Sequence, residues 1–495
     1  MSGKKISRRE MLKGMGLAVA GTAVAACAPQ TVVVKEQVPV TQIVKETVKE
    51  TVVVEGTPQV VEKEVTRVIE KVVEKVVPAT PEPPEPVVLE AWHWDEFEEE
   101  IMEFASDLVE EKSDGMISAK AVIIPGQEYN TKGIAAIAAG TPPDCSQIEM
   151  LPACIYGGML NLMPFYELDK EEVDRCQYYD ISIAPQIWHG GLYSIFDGAA
   201  GWGPICFYNV DLFEEYGQKT PGDYIAEGSW DWDAYLSIAE AMTIDEDGDG
   251  TPDIFGCSGL GLTWSSVTMP FIESANGKIF DDTYEKVLFD SPEVRSALDF
   301  QLETKKYAPA GFGVEVPGGA ESGKIAMWHS WPTGAPDYPD RLAFNWMPAP
   351  MLENPDTGKA QWGWVYHGGR NIPSGSKHHN EAWEYLKLWT GCEAQAKRFD
   401  AAFIVPTRTV ISEELLMSSP SITKIPEQAP LLVEFFLEAG EKDYFYMPFL
   451  SNWWEMQSEM NAELSLLWTG DQTMDETMVN VVRILEKLLA KAEKP

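Results

Sequence analysis

From residue 87 onward the apolar positions switch between two repeats. The run Val87-Val88-Leu89-Glu90-Ala91-Trp92 predicts a first strand, and residues 97–111 carry apolar positions at helical spacing. Ala121-Val122-Ile123-Ile124-Pro125 predicts a second strand, followed by a helix over 131–139 that Gly140-Thr141-Pro142-Pro143 ends. The same alternation resumes past Tyr208 and again past Gly363, which points to an α/β protein with a parallel or mixed sheet rather than a sandwich. Residues 88–495 exceed what one such core encloses, so two lobes are expected.

The chain before residue 87 is of another kind. Residues 30–86 are dominated by Val, Glu, Lys, Thr and Pro and contain no aromatic residue. Val61, Val65, Val68, Val72 and Val76 recur at steps of three and four, the helical period. Valine is a poor helix former, so the expectation is a tether over 27–86 that ends in the stiff segment Pro78 to Pro86, with a short coiled coil as the alternative. Ahead of it, Ser7-Arg8-Arg9-Glu10-Met11-Leu12-Lys13 precedes an apolar run from Gly14 to Ala26 that is too short to span a bilayer. The arginine pair resembles a twin-arginine export signal, with an ordinary secretory signal as the alternative. Val24-Ala25-Ala26-Cys27 resembles a bacterial lipobox. That resemblance implies cleavage after residue 26, a lipid on Cys27, and a protein anchored outside the cytoplasm.

Charge narrows the partners. With 38 Lys plus Arg against 78 Asp plus Glu the formal charge is −40, and no basic stripe offsets it, so nucleic acid is excluded as a partner. Setting Cys27 aside leaves Cys145, Cys154, Cys176, Cys206, Cys257 and Cys392, enough for three disulfides in an oxidising location and without zinc spacing. Cys145 with Cys154 is the first pair expected, and buried free thiols are the alternative. All 17 tryptophans lie between Trp92 and Trp468.

Several phrases together resemble the extracellular solute-binding proteins of bacterial ABC importers, in particular the sugar-binding family that includes maltose-binding protein. They are Gly140-Thr141-Pro142-Pro143-Asp144, Gly191-Leu192-Tyr193, Tyr208-Asn209-Val210-Asp211-Leu212-Phe213 and Ser229-Trp230-Asp231-Trp232. Gly323-Lys324-Ile325-Ala326-Met327, Gly368-Gly369-Arg370-Asn371-Ile372 and Ser376-Lys377 with Ala382-Trp383-Glu384-Tyr385-Leu386 follow in the family's order. The chain departs from the family pattern at Ser229, where threonine is usual, and at Ser322, where an aromatic is common. The resemblance implies a two-lobed periplasmic-binding-protein-like fold of type II with a ligand cleft between the lobes. It places one lobe at 87–204 with 366–409 and the other at 205–365 with 410–495. It also implies a carbohydrate ligand, permease subunits as partners, and a monomer.

A sugar ring needs aromatic planes for its C–H faces and carboxylates or amides for its hydroxyls. Trp92, Trp94 and Asp95 close the first strand, where ligands collect in open α/β sheets, and Glu149 closes the strand around 145–148. Trp264, Trp331, Trp453 and Trp454 stand near points where the family stacks sugars, and Trp202 and Trp364 complete the candidates, with His329 and His367 behind them. Each tryptophan has packing as its competing role, and Asp95 has helix capping. Trp383 and Trp389 are expected in the core, and Trp230 and Trp232 at a helix start. Asp245, Asp247, Asp249 and Asp253 lie at positions 1, 3, 5 and 9 of a D-x-D-x-D-G loop that suits structural Ca2+; Gly256 at position 12 excludes a complete EF-hand, and an ordinary acidic turn is the alternative. No other cofactor and no catalytic motif is present, so a binding protein is expected over a secreted carbohydrate-active enzyme. A peptide or polyamine on the same fold, or a sensor or adhesion lipoprotein, are further alternatives.

Overall fold

The segment expected to be a tether forms a β-hairpin in the computed structural model. The structure describes residues 33–54, 57–78, 85–148, 153–154, 157–173, 183–195, 203–262, 267–309, 319–361, 364–365, 369–402, 417–439 and 445–494. Strand β1 (Val33–Val54) pairs antiparallel with β2 (Thr57–Pro78), Val33 opposite Pro78 and Val54 opposite Thr57. Valine, isoleucine and threonine favour strand over helix, and the Lys-Glu dyads change sign with the strand's period of two. Lys49 thus falls opposite Glu62, and Glu36 opposite Lys75. The helical spacing of Val61 to Val76 and the coiled-coil alternative are both overturned. The signal segment and Cys27 lie outside the described residues.

The second unit runs from Glu85 to Pro495. Strand β3 (Val87–His93) leads through helix α1 (Glu98–Lys112) to the parallel strand β4 (Ile117–Ile123), which starts four residues earlier than the apolar run suggests. Leu89, Ala91 and His93 are buried on one face of β3, where α1 packs. Helix α2 (Gly126–Ala139) covers the opposite face through Ile134 and Ile137, and Gly140 ends it at φ 73°. That left-handed conformation favours glycine. Parallel pairing of Cys145 with Ala91 and antiparallel pairing of Asn371 with Ser146 extend the sheet.

The family phrases do their work in this scaffold. Asp144 accepts the Glu90 N–H at 3.0 Å and the Ser376 hydroxyl at 2.6 Å, so it ties the first strand to the Ser-Lys segment. Asn371 receives the Ser146 hydroxyl at 2.6 Å and donates to the Ile148 carbonyl at 2.7 Å. Asn209 and Asp231 cap the helices that follow them.

The larger core surrounds a four-stranded sheet. Its strands are β5 (Ile205–Asn209), β6 (Phe255–Cys257), β7 (Ile325–Ser330) and β8 (Trp346–Ala349), in the order β8-β5-β7-β6. Beside them pack α3 (Trp232–Ala241), α4 (Pro292–Thr304) and the C-terminal pair α5 (Trp453–Thr469) and α6 (Met474–Leu489). Strand β6 meets α3 at Gly256, where a Cβ would lie 1.8 Å from the Ala239 carbonyl oxygen. A second, smaller core joins residues 89–195 to 372–394. Cys145 and Cys154 are free, as are Cys206 and Cys257, so the pair expected first does not form; Cys392 is disulfide-bonded.

Candidate functional site

The parallel strands β3 and β4 and the segment around Cys145 end on one side of the sheet, and Trp94 stands just past the end of β3. Among the described residues it is the only exposed tryptophan, at 44%. Its ring stacks on the His93 imidazole at 5.3 Å and 21°, and its indole N–H donates to Gln147 Oε1 at 3.2 Å. Gly126 lies beside it, at a distance where an added Cβ would make ordinary contact with the indole, 3.7 Å away.

The support under Trp94 is buried and hydrogen-bonded. The Asp95 N–H donates to His93 Nδ1 at 3.0 Å, which places the ring proton on Nε2, and that N–H donates to Gln147 Oε1 at 2.7 Å. Burial, and then the nearby Arg370 guanidinium, lower the His93 pKa to about 3, so the ring is neutral at ordinary pH. Gln147 donates its backbone N–H to Tyr129 Oη at 2.8 Å, and Tyr129 donates to the Trp92 carbonyl at 2.9 Å.

Behind His93 lies a fully buried carboxylate, Glu98, in the first turn of α1. Arg370 donates to it at 2.9 Å, Arg398 grips both its oxygens, and Trp389 donates its indole N–H at 3.1 Å. Burial alone would raise the Glu98 pKa, but Arg398 and Arg370 hold it well below the usual carboxylate range. The Arg370 backbone pairs with Ile195, so the ion group joins α1 to the segment entering the sheet at residues 369–371.

The other predicted residues divide. Asp95 is half-buried; burial raises its pKa while the N–H groups of Phe97 and Glu96 oppose the rise, and the N-cap position of α1 is Phe97, with no side-chain cap hydrogen bond. Trp92 is half-buried, packs against the cluster that holds Ile124, and donates to Glu90 at 2.5 Å. Trp453 is a core residue rather than a site residue: it is 1% exposed, edge-on to Phe280 at 6.4 Å, because it occupies the inward face of α5. Trp454, next to it, is half-buried, as is Trp331 at the end of β7. His329 is also withdrawn from the candidates, since it is buried on β7 against Tyr235 at 5.5 Å. Trp364 lies on a short strand paired parallel with residues 445–446. Trp383 and Trp389 are core residues, as expected, and Trp230 and Trp232 are buried beside the start of α3. Glu149, Trp202, Trp264 and His367 lie outside the described residues.

Sequence reasoning missed Gln147, His93 and Tyr129. Gln147 had a usable signal, since it lies within the anticipated strand two residues before Glu149. In the acidic loop, carboxylate oxygens of Asp245, Asp247 and Asp253 come within 4.8 Å of one another, while Asp249 stays outside that group and accepts the Thr251 N–H at 2.7 Å. The mutual bridge of Ile244 and Ile254 closes the loop at its base.

Comparison with known proteins agrees with this architecture. No curated protein matches the chain by sequence. An ABC substrate-binding protein from Listeria monocytogenes, solved with cycloalternan, superposes with a TM-score of 0.65 at 18% identity over 82% of this chain and 100% of its own. The sugar-binding protein MalE of Xanthomonas citri gives 0.65 at 20% identity over 82% and 98%, and the maltose/maltodextrin-binding domain of Bdellovibrio bacteriovorus, bound to maltotriose, gives 0.61 at 16% over 82% and 100%. The fold is thus the two-lobed one of periplasmic binding proteins. The model of the bacterial extracellular solute-binding proteins matches residues 107–430, well over half of the sequence, and the chain belongs to that family.

Proposed function

We propose that the protein captures a sugar or oligosaccharide outside the membrane and delivers it to the permease subunits of an ABC importer. The observation that carries this reading is the exposed Trp94 ring, held between its stack on His93 and its hydrogen bond to Gln147 at the ends of the strands. An aromatic plane fixed before binding loses little entropy when a sugar face covers it. Trp331 and Trp454, both half-buried, are further platforms in this reading, and the solved proteins of the same fold include several bound to oligosaccharides. The protein binds its sugar without cleaving it. Glu98, the buried carboxylate nearest Trp94 in sequence, is held by two guanidiniums and serves as a structural anion rather than a proton donor. Residues 1–26 are removed on export and Cys27 carries the lipid that retains the protein at the membrane.

A melting screen of the protein against mono- and oligosaccharides, peptides and polyamines tests this. A ligand at a hundred times its Kd adds about 2.7 kcal/mol. A saccharide that raises the midpoint and is recovered intact supports the proposal; silence from every saccharide, or recovery of cleaved sugar, refutes it. Calcium at Asp245, Asp247 and Asp253 is a separate reading with a separate test. EDTA lowers the midpoint and Asp245→Asn removes that sensitivity if the loop holds the ion; equal midpoints with and without EDTA refute it.

A further inference from the structure

The hairpin carries its charges in four unmixed rows. On one face, β1 places Lys35, Lys45 and Lys49, and β2 places Glu62, Glu64, Glu70 and Glu74. On the other face, β1 places Glu36, Glu46 and Glu50, and β2 places Lys63, Arg67, Lys71 and Lys75. All 14 charged positions obey this rule, seven basic and seven acidic, so the paired strands carry no net charge within a chain of −40. Within the hairpin, a row of one sign always adjoins a row of the other.

The same hairpin is incomplete as a sheet. It has two strands of 22 residues each, against about 5–6 residues for an average strand. Both outer edges are unpaired among the described residues, and a two-stranded hairpin alone is marginal in water. The face with the β2 lysines has aliphatic residues at 12 of its 22 positions, the other face at 7 of 22. On β2 the only prolines are Pro58 and Pro78, so that edge is uninterrupted from Gln59 to Val77.

We infer that the hairpin is an association module for further copies of this chain, and that copies join head to tail, β2 of one against β1 of the next in antiparallel register. The charge rows select this arrangement. Placing β2 beside the next β1 with the faces aligned sets the acidic row against a basic row on one face, and the basic row against an acidic one on the other. With the faces likewise aligned, so that the more aliphatic face stays continuous, antiparallel pairing of β1 with β1, or of β2 with β2, sets like rows side by side on both faces, which is destabilising. The contact is heterologous, so copies close into a ring or continue as a sheet. This replaces the monomer expected from the sequence and does not depend on the ligand.

The test uses the full chain with Cys27→Ser, and a second version in which every Lys or Arg of the 14 positions is changed to Glu and every Glu to Lys. Inversion preserves net charge, apolar positions and complementarity within the hairpin. The expected result is that each version sediments as two or more copies, and that a tagged chain captures untagged chains of its own version at least tenfold better than the other version, because β2 of one version opposes a like-charged β1 of the other. The inference is overturned by single-copy mass for either version at about 50 μM, or by equal capture across versions, which would mean apolar aggregation without strand order.

Discussion

His329 offers a sharp measurement of burial. Its ring lies in the larger core beside Tyr235, and neither ring nitrogen has a hydrogen-bond partner among the described residues. Burial lowers its pKa from 6.5 to about 3. The sign follows directly: as pH falls below 6.5, the unfolded imidazole takes up a proton while the folded one does not, so stability is lost until pH reaches about 3. The loss from this one group is negligible at pH 7.5 and about 2 kcal/mol at pH 5, a large share of an ordinary domain's 5–15 kcal/mol. His329→Phe keeps an aromatic ring against Tyr235 and removes the titration. Other groups move too; burial raises the Glu273 pKa to about 7, which works in the opposite direction. Comparing variant with wild type at each pH cancels them. Urea denaturation at both pH values should give a stability difference, variant minus wild type, that grows by about 2 kcal/mol from pH 7.5 to pH 5. A difference independent of pH would refute the assignment of His329 as a buried neutral ring.

Two further predictions concern the smaller lobe's scaffold. Glu98→Ala leaves Arg370 and Arg398 buried without their anion and should cost about 3–5 kcal/mol in denaturant titration at pH 7. Because the Glu98 pKa is depressed, its contribution is present above the unfolded carboxyl value and fades as pH falls toward its folded value, so the gap to wild type should narrow in acid. Gly140→Ala forces a Cβ into φ 73° at the end of α2 and should lower stability by about 1 kcal/mol, with solute affinity retained.

What the sequence revealed was chiefly scaffold. Asp144, Asn209, Asp231 and Asn371 are recognisable because each fixes a backbone junction, and the structure shows those bonds. The site residues carry no such local signature. Trp94 and Trp92 are two apart on the same segment, yet one is exposed and stacked on His93 and the other packs under α2; the partner that holds Trp94 is Gln147, 53 residues away in sequence. Trp453 and Trp454 are told apart only by which face of α5 meets the core. The helical spacing of the hairpin valines is incidental, because Val61 and Val65 belong to one face while Val68, Val72 and Val76 belong to the other. The period of two was carried by the charges.

Calorimetric titration of wild type, Trp94→Ala and Trp94→Phe with the saccharide that gives the largest melting shift tests whether the exposed Trp94 ring carries the sugar. Losing one stacked aromatic face should cost about 2 kcal/mol, about 30-fold in Kd, for Trp94→Ala, with most of the affinity kept in Trp94→Phe and the melting point of the free protein unchanged. Equal affinities for wild type and Trp94→Ala would remove Trp94 from the binding site and overturn its role as the sugar platform.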